Sequence, residues 1–162
     1  MLRQISEPVR IVNSEVKNLM DDMLETMYAA PGIGLAAIQI GIDKRVIVMD
    51  ISKNSEKKLP LYLVNPEIIS TSRNDSTYEE GCLSVPGQFA EINRPERCHV
   101  KYLDYNGNQK EIKAEGLLAT CIQHEMDHLE GVLFIDYLSK LKKTMIVKKL
   151  SKQKKSLERI VV

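Results

Sequence analysis

One short run of the chain combines residue types that can hold a metal ion and move a proton. Residues 121–131 read CIQHEMDHLEG, and His124, Glu125 and His128 form a His-Glu-x-x-His pattern within them. Residues four apart on an α-helix differ by about 40° around its axis, one turn up. His124 and His128 therefore face the same way and can grip one ion, with Glu125 beside the first of them as an acid–base group. Two ligands do not complete a site. One metalloprotease class extends the pattern through a glycine to a third histidine. Here Gly131 fits that extension, but the last position is Phe134. A downstream carboxylate, the other common protease solution, is missing too: residues 137–157 hold eight lysines and no acid. The third ligand must come from upstream, where His99 and the cysteines are the candidates.

Cys82 is the best of these. It sits in EEGCLSVPG, where Gly81 and Pro86 keep the chain extended, so a thiolate can be presented from a strand edge or turn. Cys121 lies three residues before His124 on a neighbouring helix face and reads as a wall of the same pocket. Cys98 alternates with strand neighbours and reads as core. His99 reads as a surface or satisfied strand histidine. Free cysteine is usually a small buried hydrophobe, so spacing alone leaves Cys82 a candidate.

The elements that must carry these residues follow from periodicity. Residues 14–30 repeat Val16, Leu19, Met20, Met23, Leu24 and Met27 at helical spacing, with Asn13 or Ser14 as cap and Pro31-Gly32 as stop. The methionines are core filler. Segments 45–50 and 61–66 are rich in β-branched and aromatic residues and predict strands. Stretches 52–59 and 73–79 are polar and predict loops. Segments 98–105 and 109–115 flank Asn106-Gly107, a strong hairpin signal. Residues 117–130 predict the helix bearing the histidines, with Gly131 at its C-cap. Ser139 can cap a last, lysine-rich helix over 139–157. Helix, antiparallel strands, helix, helix is an α+β order.

The bulk numbers bound the function. A length of 162 residues suits one domain, 1–162. A net charge of +1 gives no global field for DNA. Three cysteines make no disulfide framework. No apolar run has the length of a signal peptide core or a membrane span. The chain is read as soluble and cytoplasmic, with no membrane partner.

Three segments together resemble one family. GIGLAAIQ (32–39), EGCLSVP (80–86) and QHEMDH (123–128) are similar to the three motifs of the bacterial peptide deformylases, in that family's order. The resemblance implies one divalent metal held by Cys82, His124 and His128, with a fourth position open to water, the arrangement of a catalytic site. Fe²⁺ is the expected working ion, with Zn²⁺, Ni²⁺ or Co²⁺ able to replace it. It implies hydrolysis of the formyl group from N-formylmethionyl nascent peptides, releasing formate. Glu125 would be the general base, with Gln39 and the backbone N–H of Leu83 stabilising the tetrahedral oxyanion. Ile33, Leu117 and Cys121 would line the methionine pocket, and Gly34 and Gly81 would give the peptide close backbone approach. Arg94 is expected to pair with Glu80 or Asp127 and brace the ligand-bearing segments. The basic terminal helix suggests docking on ribosomal RNA.

The match departs from the family in two places. Met1-Leu2-Arg3 resembles the tail of a longer N-terminal stretch, so the N-terminus is read as shortened. Phe89 stands where some members carry a substrate-binding arginine. Two other readings compete: a deformylase-like peptide binder without turnover, and a general metalloendopeptidase. Intact Gln39, Cys82, Glu125 and both histidines oppose the first, and the absent downstream ligand opposes the second.

Overall fold

The computed structural model describes residues 1–161, with side chains through residue 155. Helix α1 spans Ser14–Ala29. Asn13 caps it, its side-chain oxygen accepting from the Val16 N–H at 3.1 Å. Five antiparallel strands form the main sheet: β1 (Gly34–Ala36), β2 (Val46–Met49), β3 (Leu61–Thr71), β6 (Arg97–Leu103) and β7 (Gln109–Glu115). They lie in the order β1-β2-β3-β6-β7. Strands β4 (Asp75–Cys82) and β5 (Val85–Pro95) form a separate two-stranded ribbon. Helix α2 spans Gly116–Leu129 and helix α3 spans Lys140–Val161.

Period-2 alternation gives the central strands two buried faces. Ile47, Met49 and Leu63 pack with Ala119, Cys121, Ile122, Met126 and Leu129 of α2. Val46, Val48 and Val64 pack with Val16, Met20, Met23 and Met27 of α1. The three methionines from Met20 to Met27 are fully buried. Their burial stabilises the fold by on the order of 2 kcal/mol each. The expectation of core filler therefore holds. A third cluster joins the ribbon to the chain end: Val85 and Ile92 meet Phe134, Ile135 and Ile146. The basic helix begins where expected, with the Ser139 hydroxyl accepting from the Lys142 N–H at 3.3 Å, and extends past residue 157.

Two expectations need correction. Residues 73–79 are not all loop: from Asp75 onward they belong to β4. Their polar composition reflects a ribbon exposed along much of one face. Strand 61–66 continues to Thr71, with a register shift where Asn65 adopts φ 50° and Pro66 can donate no ladder bond. Asn65 uses its side chain instead, bonding the Val9 N–H and C=O at 2.8 and 2.7 Å. The hairpin over Asn106-Gly107 forms as expected, with Gly107 at φ 81°.

Helix α2 is central, with ten of its fourteen residues buried. Its C-terminal end is gripped from outside. The Arg45 guanidinium donates to the Leu129 carbonyl at 3.3 Å, and the Ser6 N–H donates to the same carbonyl at 2.8 Å. Gly131 follows at φ 74°, against the backbone of Arg3. The positions of His124 and His128 are therefore fixed by the sheet beneath, the ribbon above and the N-terminal arm at one end.

Candidate metal centre

His124 and His128 project from the buried helix toward the ribbon, and Cys82 meets them at the end of β4. One donor atom from each lies within 4.8 Å of the others. The Cys82 Sγ is 3.3 Å from His128 Nε2. His99, the other upstream candidate, pairs with Glu111 at 3.1 Å on the sheet surface and takes no part. Cys98 is buried core, as expected. Phe134, at the place where the protease extension would need histidine, stacks on the His124 ring with centroids 6.2 Å apart.

The surroundings fit a cation. His124 Nδ1 is 2.8 Å from Glu80 Oε1, an arrangement that puts the proton on Nδ1 and leaves Nε2 for the donor cluster. Burial disfavours a charged His124, but hydrogen bonds to Cys82 and Glu80 and the charge of Glu125 outweigh it and push its pKa up to about 10. The same anionic neighbours that favour a proton favour a metal ion in its place. His128 is driven the other way, to about 3, by burial and then by the charges of His124 and Arg94. It stays neutral, the form in which imidazole ligates.

Arg94 braces this arrangement through both expected partners. It donates to Glu80 through Nε at 2.7 Å and Nη2 at 3.0 Å, and to Asp127 through Nη1 at 2.7 Å. Tyr137 adds a hydroxyl to Asp127 at 2.8 Å, and its ring lies 4.9 Å from the guanidinium carbon. Burial works to raise the Glu80 pKa, but the bonds from His124 and Arg94 hold it below the ordinary carboxylate range.

Beside the donors opens a cavity of about 520 Å³. Ile33, Gly34, Gln39, Gly81, Cys82, Leu83, Leu117, Cys121, His124 and Glu125 all line it. Of the eleven residues given a metal, catalytic or substrate role from the sequence, ten line this cavity and His128 does not. Glu125 is buried, and its Oε2 has no hydrogen-bond partner. Burial raises its pKa to about 7, against the lowering charges of His124 and Arg94. Gln39 is held in one orientation. Its Oε1 accepts from the Ala36 N–H at 2.9 Å, so Nε2 faces Ser84 Oγ at 3.0 Å and Cys82 Sγ at 3.4 Å. Cys121 is buried, and its thiol pKa is well above the ordinary value, from burial and then the charges of Glu125 and Glu80. Leu117 sits at the rim, half exposed.

Sequence reasoning left several contributors without a site role. Glu80 was expected only as a partner for Arg94, although it also orients His124. Ser84 orients Gln39, and Tyr137 supports Asp127. Glu80 carried a signal: a carboxylate two residues before a candidate ligand.

An α+β fold with one thiolate, two imidazoles and a buried acid in a cavity wall defines a class, that of candidate single-metal hydrolases. Comparison with known proteins is more specific. The polypeptide deformylase family pattern matches residues 1–144. The peptide deformylase of Pelagibacter ubique is 70% identical over 162 residues, covering 100% of this chain and 93% of that protein. That of Phenylobacterium zucineum is 61% identical over 155 residues, covering 96% and 92%. The crystal structure of the Ehrlichia chaffeensis peptide deformylase superposes with a TM-score of 0.91 at 44% identity, covering 96% of this chain and 92% of that one. A second structure of that enzyme, in complex with actinonin, gives 0.89. The chain belongs to the polypeptide deformylase family.

Proposed function

We propose that this chain hydrolyses the formamide bond of N-formylmethionyl peptides and releases formate. The observation that carries the reading is the convergence of Cys82, His124, His128, Glu125 and Gln39 on one cavity. Residues 1–162 are read as one catalytic domain, because α2 is shared by the sheet core and the ribbon.

Cys82, His124 and His128 would hold one divalent ion, with Fe²⁺ as the working metal and Zn²⁺, Ni²⁺ or Co²⁺ as alternatives. Such an ion would act as a Lewis acid toward the formyl carbonyl and make water a stronger nucleophile at neutral pH. Glu125 takes the proton from the attacking water. A carboxylate with a pKa of about 7 is matched to that task at neutral pH. Glu125 then returns the proton to the departing amine. Gln39 Nε2 and the Leu83 N–H donate to the oxyanion. The amide of Gln39 is held beforehand by Ala36 and Ser84, so little reorganisation is needed at the moment of reaction. Ile33, Leu117 and Cys121 take the methionine side chain, while Gly34 and Gly81 leave room for the peptide backbone.

The deciding experiment is formate release from formyl-Met-Ala-Ser by iron-loaded protein made without oxygen. Turnover is expected. Glu125→Ala should keep the metal and lose the reaction, and Cys82→Ala should lose both. Absence of turnover with metal bound would overturn the proposal in favour of a peptide binder.

The partners follow from the same reading. Nascent formylated chains are the substrate, and the site of action is the cytoplasm. No described helix is long and apolar enough to cross a membrane. Helix α3 carries eight lysines between 140 and 155, and its exposed Leu141 and Met145 lie among them. We assign it to ribosome docking through RNA phosphates, which makes the association salt-dependent. Co-sedimentation with ribosomes should fall when residues 140–162 are deleted; unchanged co-sedimentation refutes the assignment.

A further inference from the structure

The polar stretch 52–59 joins β2 to β3 and reads as an ordinary surface loop. One of its lysines turns inward. An ammonium group has three donors, and all three of Lys53 go to carbonyls: Met27 at 2.9 Å, Gly32 at 2.9 Å, and Ala30. Helix α1 has no basic residue in its last turn. Lys53 therefore supplies, from a distant part of the chain, the cation that the negative end of the helix dipole favours.

Asp50 aims this lysine. It is buried, and its carboxylate accepts from the Ser52 N–H at 2.8 Å, the Leu59 N–H at 3.0 Å and the Tyr28 hydroxyl at 2.6 Å. Its own backbone N–H donates to the Ile33 carbonyl at 2.8 Å. Both ends of the loop are thus tied to one carboxylate. Asp50 and Lys53 together hold consecutive carbonyls at Gly32 and Ile33.

Those carbonyls belong to the cavity wall. Pro31, Gly32, Ile33, Gly34 and Leu83 all line it. Gly32 stands against Leu83 so closely that a Cβ there would lie 3.3 Å from the leucine Cδ1 and Cγ. A small displacement of the segment 30–33 would change this approach and the path by which a peptide lies along it.

We propose that Lys53 is a positioning residue for substrate binding: its ammonium fixes the segment Ala30–Ile33 as the edge on which the formylated peptide docks. The proposal rests on the deformylase reading for the identity of the peptide. Lys53 touches no metal ligand, so its loss should act on binding and leave the chemical step alone. If the docking-competent fraction falls to one tenth, apparent affinity falls tenfold.

The test uses full-length, metal-loaded protein with Lys53→Met, which keeps the stem and removes the charge, and Lys53→Arg, which restores a cation. For Lys53→Met the expected result is a KM for formyl-Met-Ala-Ser raised about tenfold, with kcat within about twofold and metal content unchanged. Hydrogen exchange should speed up over residues 28–36 and stay constant over α2. Lys53→Arg should recover most of the KM. A KM within about twofold of the parent chain, or a loss confined to kcat or to thermal stability, overturns the proposal. If the parent chain shows no turnover, the deformylase reading fails by itself. Calorimetric affinity for the same peptide then decides the role of Lys53: about tenfold weaker binding in Lys53→Met supports it, and equal binding overturns it.

Discussion

Replacing Arg94 with methionine should unfold the protein at a much lower temperature. The substitution keeps an apolar stem of similar length and deletes the guanidinium. Arg94 and the Glu80 side chain are 4% and 5% exposed, so water cannot take over their hydrogen bonds. Glu80 would drop from three hydrogen bonds to one, that to the His124 ring. Breaking a buried pair from one side costs about 3–5 kcal/mol. Asp127 adds little to this, about 1 kcal/mol at most, because its side chain is 23% exposed and the Tyr137 hydroxyl still reaches it. For a chain of this size each kcal/mol shifts the midpoint by about 2–4 °C, which gives a fall of roughly 6–20 °C. The measurement is thermal unfolding by circular dichroism, with metal content determined on the same sample. Pairing the change with Glu80→Gln removes the stranded charge, so the double variant should be more stable than Arg94→Met alone. A fall of under about 3 °C, or a double variant no better than the single, would refute the reasoning.

Three further expectations follow from the geometry. Gly34→Ala should retain metal but lose about a hundredfold in kcat/KM in the formate-release assay, because its Cβ would lie 2.8 Å from Glu125 Oε1 and 3.1 Å from Cys121 Sγ; near-normal turnover would contradict this. Gly131→Ala should lower the melting midpoint by at least about 4 °C. A residue at φ 74° is strained by about 1–2 kcal/mol, and its Cβ would fall within contact of the Arg3 backbone; an unchanged midpoint would exclude that crossing. Asp136 concerns acid stability. Burial alone would raise its pKa, but bonds from Arg3, Lys143 and the Leu133 N–H hold it well below the usual range. A depressed folded value means stability present above the unfolded pKa of about 3.9 and lost as pH falls below it. Asp136→Asn should therefore be less stable at neutral pH and lose less on acidification, read as melting midpoint against pH; parallel curves for the two proteins would contradict the assignment.

Where one physical rule governed a segment, its residues were readable in order. The methionines of α1 follow one helical stripe, and Asn13 and Ser139 cap the helices they precede. The four-residue spacing of His124 and His128 placed them on one face because a helix allows nothing else. The candidate third ligand was different. Gly81 and Pro86 mark Cys82 as a candidate and no more, since the ribbon that presents it is polar, and Asp75 to Thr77 read as loop until paired with Asn93 to Pro95. Strand character there comes from a partner more than fifteen residues away, not from propensity. The same holds for Lys53, whose neighbours in sequence give no hint that three carbonyls wait for it. Long-range partners such as Glu80 for His124 are set by packing, and packing is not written in spacing.

The division of the donors between a ribbon and a later helix has a consequence for biosynthesis. Cys82 leaves the ribosome 42 residues before His124. At bacterial rates of about 5–20 residues per second, that is roughly 2–8 s in which the thiol exists without its partner imidazoles. In the proposed centre neither metal nor a packed helix would shield it from oxidants during that interval, so each newborn copy would pass through a brief period of chemical vulnerability before it could protect its own sulfur.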